Sequence, residues 1–410
     1  MKICIIGGGC SGWWAAGYLE KFVPDIKITL IESEDIPTIG VGESTLPQIG
    51  HFFEELGILE SDWMEQAEAI HKYGNIKQGW DHKDAPEFAM TFWYNDNNAF
   101  DEWAKDYFAG KKTGKPDEEL NKDLYDDAAW RAVAHHFDAG ESINIVKDTC
   151  KNVEHIIDTI TELPPGYDLY LDCTGLAQRF VKDKTRLPLT EGHLVDSVWV
   201  CPFELSDKDV PRNYTRSIAR DAGWQFIINL QERSGIGYVY SSKYVSDDDA
   251  LVYYNDITKG RIPWGAFPCT PTIQPKLIKW DPHYLANPWS DNVVALGLSN
   301  GIVDPLEANV LYTTVYGIQT LAKCLNRGYG ARAYNKAVSK LHYENSDFIL
   351  HHYMLSNRTD TPFWEYYSKC DVRKTLWENY RRCGDKHANL YPDAIWATLG
   401  VYFNEFTYYE

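Results

Sequence analysis

Three glycines, Gly7, Gly9 and Gly12, stand in G-x-G-x-x-G spacing within MKICIIGGGCSGWWAAGYLEKF, and Glu32 follows 20 residues after the last of them. An apolar run, Ile3 to Ile6, feeds straight into the glycines, and a helical pattern opens at Ser11. That context suits a dinucleotide. Glycines permit a tight turn and close approach to a pyrophosphate, a helix N-terminus carries positive potential, and a carboxylate after the second strand accepts from ribose hydroxyls. The spacing alone leaves NAD and FAD both open.

The next segments carry a resemblance. Gly40-Val41-Gly42-Glu43-Ser44-Thr45 resembles the GVGEA/ST-P signature of flavin-dependent tryptophan halogenases. DWMEQAEAIHKYGNIKQGW resembles that family's segment bearing a catalytic lysine, which falls on Lys72. HHFDA, LYLDCTG, GWQFIINL, GYVYSSKY, ALGLSNGIVDPLEAN and NRTDTPFW follow in the family's order, so that the likeness runs from residue 1 to about 370. It implies FAD, reduced by a separate flavin reductase, and a halide ion. It also implies cofactor contacts at Gly7, Gly9, Ser11, Gly12, Glu32, Ser33, Ile36, Val41, Ser44, Asp172, Leu298 and Leu311. Lys72 is expected to relay hypohalous acid to an arene, with Glu307 orienting the oxidant and either stabilising the arenium cation or taking its proton.

Departures from the family's pattern bear on specificity. Where the family has Thr-Gly after PLE-x, this chain has Asn309-Val310, expected to bind halide through backbone amides near a helix N-terminus. The added Cβ predicts a geometry kinder to bromide or iodide than to chloride. In GWxWxIP the second Trp becomes Phe226 and the proline becomes Asn229, while Trp224 is kept; both rings are expected to wall substrate from flavin. An H-x-F clamp becomes Met90-x-Phe92. With a shorter C-terminal region as well, the expected substrate is a flat, electron-rich arene other than free tryptophan. Two rivals remain: an aromatic monooxygenase that hydroxylates directly, and a catalytically silent FAD-binding redox protein.

The elements that must position these residues read as a mixed α/β chain. A Rossmann-like parallel sheet is expected to bind FAD beside an antiparallel substrate-side sheet and a helical C-terminal part. The expected FAD module is discontinuous, 1–80, 130–200 and 285–330; the substrate-side module takes 81–129, 201–284 and 331–410. Residues 84–128 read as an exposed loop around Lys-Gly-Pro-Asp. The 410 residues suffice for a large core. A net charge of -19 argues against nucleic-acid or anionic-membrane partners, which want basic faces. Nine cysteines without CxxC pairs form no zinc or disulfide framework, and the adjacent pairs His135-His136 and His351-His352 have no ligand spacing, so no metal is expected. The first residues enter a strand without a signal-peptide pattern, and no apolar run reaches membrane length, which together suggest a cytoplasmic enzyme. A homo-oligomer is compatible with all of this.

Overall fold

A computed structural model describes residues 1–36, 42–85, 87–91, 133–205, 212–259 and 274–370. Strand Lys2–Ile6 is buried at four of its five positions, as a strand covered on both faces must be. It pairs in parallel with Lys27–Glu32 on one side and Leu169–Asp172 on the other. Val153–Ile157 and Val293–Ala295 extend the parallel sheet at its two ends, and Trp289–Ser290 adds an antiparallel edge. Helix Cys10–Phe22 leaves the glycine turn and buries Trp13, Trp14, Ala15, Ala16 and Leu19 in the core beside this sheet. Gly12 lets that helix approach: a Cβ there would stand 1.8 Å from the Gly7 carbonyl oxygen.

The second sheet has seven strands in the order Lys276–Lys279, Ser197–Glu204, Arg233–Tyr240, Gly223–Asn229, Tyr214–Arg220, Gly74–Gln78 and Phe88–Thr91. All pairs are antiparallel except Tyr214–Arg220 with Gly74–Gln78. Phe88–Thr91 corrects the expectation that 84–128 is loop throughout: its first part is an edge strand. A small sheet of Glu43–Ser44, Ala134–Phe137 and Ile70–Lys72 brings the Glu43-Ser44-Thr45 segment against the strand that carries Lys72. Three helices, Asn309–Arg327, Ala331–Met354 and Pro362–Ser368, form the helical part after the sheets. The fold class therefore matches the reading of the sequence. Among the described residues no helix is long and apolar enough to cross a membrane, and seven of the cysteines are free thiols.

Gly223 opens the central strand of the second sheet at φ 156°, with the site of a Cβ only 2.1 Å from the Val239 carbonyl oxygen. Gly223→Ala is expected to lower stability by at least ~2 kcal/mol, through backbone strain and a forced shift of the neighbouring strand. A fall in the urea midpoint at unchanged slope would register it.

Candidate active site

A cavity of about 630 Å³ runs from the glycine turn to the PLEAN segment. Gly7, Gly9, Ser11, Glu32, Ser33, Ile36, Ser44, Leu298 and Leu311 all line it, as do Trp224, Phe226, Glu307 and Val310. Local structure explains the first group. A Cβ on Gly8 would fall within 1.4 Å of the Glu32 carboxylate, whereas one on Gly9 would meet nothing within 4 Å. Bare backbone thus faces open space beside a carboxylate, the arrangement a ribose-pyrophosphate fits. Glu32 also takes a 2.6 Å contact from His155 Nε2.

Several residues expected at the cofactor, the halide or the substrate do not line the cavity or lie outside the described residues. Asp172 is fully buried and does not line the cavity. Its carboxylate accepts from the Thr174 N–H and hydroxyl, the Phe180 N–H and the Ser299 hydroxyl, at 2.6 to 3.2 Å. It braces the turn beside the cofactor space rather than reaching into it. Gly12 serves helix packing. Asn309 points its amide back to the Asp304 and Leu306 carbonyls, and only its neighbours Ala308 and Val310 reach the cavity. Met90 is buried in the apolar cluster that holds Trp80, Trp224 and Phe226. Val41 and Phe92 lie outside the described residues.

The aromatic wall follows from strand alternation. Trp224, Phe226 and Ile228 share one face of Gly223–Asn229, and all three line the cavity. Phe226 lies over Gly237 of the paired strand, where a Cβ would come within 2.3 Å of its ring. Trp224 Nε1 donates to Asp304 at 3.2 Å, and Tyr353 donates to the same carboxyl at 2.6 Å. Burial pushes Asp304 up to about 6 despite those donors.

Glu307 ends the cavity. It and Ala308 both hold left-handed backbone, φ 68° and 54°, just before the Asn309–Arg327 helix, which no side chain caps. Such strain in two residues with a Cβ marks a turn held by its surroundings. Here the surroundings are polar. Lys77 Nζ is ion-paired to Glu307 Oε1, Asn75 Nδ2 donates to Oε2 at 2.8 Å, and His352 Nε2 lies 3.2 Å from Oε1. Lys77 also lies 5.4 Å from the centre of the Trp80 ring. Burial pushes the Glu307 carboxyl up, but Lys77 and His352 outweigh it and hold it well below the usual carboxylate range.

Lys72 is fully buried on its strand, and its Nζ donates to the Thr45 carbonyl at 2.8 Å. Burial pulls its ammonium down to about 7; Glu307 opposes the fall and Lys77 adds to it. Lys72 does not itself line the cavity: its amine meets the carbonyl of Thr45, the residue after the lining residue Ser44, and it feels the charge of Glu307, while Lys77 makes the direct contact. Lys77 and Asn75 were not singled out from sequence, and His352 was read there only as one of an adjacent pair without ligand spacing. The one available signal was the i, i+2 placing of Asn75 and Lys77 on a strand, which puts both on one face.

Comparison with known proteins finds relatives along nearly the whole chain. The sequence matches the family described as tryptophan halogenase over residues 2–136 and 120–400. The chain belongs to that family. It is 27% identical to tryptophan 6-halogenase SttH of Streptomyces toxytricini, over 89% of this chain and 80% of that protein. With tryptophan 7-halogenase RebH of Lentzea aerocolonigenes it shares 28% identity over 88% and 78%. The solved structure of BrvH, a flavin-dependent halogenase from Brevundimonas sp. BAL3, superposes at TM-score 0.79 with 25% identity, covering 99% of this chain and 90% of that one. The halogenase is thus an FAD-dependent enzyme with halide as a substrate, and its glycine turn, Glu32 and the cavity beyond them suit the cofactor.

A buried carboxylate robbed of its cation is costly. Lys77→Met is expected to destabilise the halogenase by about 3–5 kcal/mol. Adding Glu307→Gln should restore roughly half of that or more. Urea unfolding of both single variants and the double variant measures the coupling.

Proposed function

We propose that this halogenase transfers an electrophilic halogen to an electron-rich arene other than free tryptophan, with Lys72 as the relay and a separate flavin reductase as the source of reducing equivalents. The observation that carries the proposal is Glu307. It is an ionised carboxylate, nearly dry, at the end of a cavity that begins at a nucleotide-binding turn and passes an aromatic wall. Bound reduced FAD would supply two electrons to O2 and halide the other two, giving hypohalous acid and water.

The chain's own groups then do the rest. Trp224 and Phe226 form apolar bulk along the cavity and keep a flat substrate apart from the cofactor. The first N–H groups of the Asn309–Arg327 helix, at Asn309 and Val310, offer positive potential for a halide. The Lys72 amine, leaving the Thr45 carbonyl, hydrogen-bonds the oxidant or exchanges one N–H for N–halogen, releasing water. When the arene attacks the halogen, its ring becomes a cation. Glu307, kept charged by Lys77, stabilises that cation better than it would serve as a strong base. Val310 in place of a glycine leaves the halide less snugly held, which penalises the strongly hydrated chloride first.

A second reading has its own observation. Lys77, not Lys72, touches Glu307, so Lys77 could carry the halogen. The two lysines separate experimentally. Lys72→Ala is expected to leave flavin reoxidation by O2 within about twofold while halogenated product falls at least ~100-fold, the scale of a lost acid–base or relay group. Lys77→Arg, which keeps the charge, should retain most product; the reverse pattern would transfer the role to Lys77. In a separate competition at equal halide concentrations, with phenols, indoles and anilines as acceptors, mass spectrometry should find brominated product in excess of chlorinated. A chloride excess would remove the halide reading.

A further inference from the structure

A cluster on the far side of the Lys72 strand has no part in this chemistry. His71 and His135 face each other in register across the antiparallel pair of Ile70–Lys72 with Ala134–Phe137. Glu60, the first residue of helix Glu60–Trp63, reaches between them. Its Oε1 lies 2.5 Å from His71 Nε2 and 3.0 Å from His135 Nε2, and one ligand atom from each residue falls within 4.8 Å of the other two. We propose that Glu60, His71 and His135 bind a divalent transition metal of the zinc class, with solvent completing the shell.

The donor set is two imidazoles and one carboxylate, which suits tetrahedral Zn²⁺ with an open fourth position. Access and anchoring are both provided. His135 is 4% exposed at its side chain, while His71 and Glu60 are 29% and 36% exposed, so an ion can enter from solvent against one fixed ligand. Both histidine backbones are pinned. Asn213 donates to the His71 carbonyl at 2.9 Å. The Thr45 hydroxyl takes the His135 N–H at 2.9 Å and donates to its carbonyl at 2.7 Å. Trp63 packs edge-on to the His135 ring, 4.8 Å between centroids, and limits its rotation.

Metal bonds of about 2.0–2.1 Å set tetrahedral ligands roughly 3.3 Å apart. The Glu60 oxygen must therefore withdraw by about 0.8 Å from His71 Nε2 and about 0.3 Å from His135 Nε2, a movement its exposure permits. Binding exchanges the two N–H···O contacts for two N–metal bonds and one O–metal bond. Each imidazole then carries its proton on Nδ1, and no net proton need leave. His135 Nδ1 has no hydrogen-bond partner among the described residues. An occupied site would tie three separate elements together at the strand that presents Lys72, and it stands whether or not Lys72 carries halogen.

The test is uptake by the full chain after chelator treatment. Co²⁺ should give the intense visible bands of four-coordinate cobalt at one equivalent per chain, and Zn²⁺ should abolish them stoichiometrically. His71→Ala and Glu60→Gln, both at part-exposed positions, should each weaken uptake by at least ~100-fold, since losing even an outer partner of a ligand costs 10–100-fold. His82→Ala, at an exposed histidine outside the cluster, should change nothing. Zn²⁺ should also raise the melting temperature of the wild type and not of Glu60→Gln, whose melting without metal reports its fold. No stoichiometric uptake, or uptake equal in both cluster variants and the wild type, would overturn the site.

Discussion

A carboxylate with 7% exposure must be held by partners or lose its charge, and Glu307 is held from three sides. Lys77 and Asn75 come from one face of a strand in the second sheet, and His352 comes from a long helix after it. The ion pair thereby joins the second sheet, the turn before the Asn309–Arg327 helix, and the Ala331–Met354 helix. Without it, two successive left-handed residues would have only the turn's own hydrogen bonds, such as those from Asn309 to the Asp304 and Leu306 carbonyls, to oppose their relaxation. Ordinary hydrophobic packing surrounds this point but does not specify it. Burial drives the elements together, and the charge pair decides which atoms meet.

The cofactor end obeys a different logic. There the decisive feature is absence of side chain: open backbone at Gly9, close approach at Gly12, and a carboxylate from the neighbouring strand. These are local constraints, fixed within one strand-turn-helix-strand unit. At the other end, contacts span the chain, with 230 residues between Lys77 and Glu307. One enzyme therefore combines a short-range glycine turn with a cavity end assembled from remote segments.

That difference explains what could be read in advance. The glycine spacing, Glu32 and the parallel sheet were legible because spacing and apolar runs are properties of neighbouring residues. The motif likeness led to Glu307 and to the aromatic strand of Trp224 and Phe226. Charge pairing has no period, so Lys77, a lone basic residue in a short strand, carried no mark of its partner. Asp172 shows the opposite error. Its place at a strand end suggested the cofactor, but a side chain's direction is set by the turn that follows, and there four donors claim it. The cluster of Glu60, His71 and His135 was equally hidden, since its members are brought together by strand register rather than by interval.

Beneath the Phe226 ring the paired strand offers a hydrogen atom where any other residue would offer carbon. The ring rests on that vacancy as on a recessed shelf, so the width of the passage is governed from behind by a position that no ligand meets. Selectivity for acceptor size can consequently drift in a lineage, or be altered by design, without any exchange among the residues that face the guest.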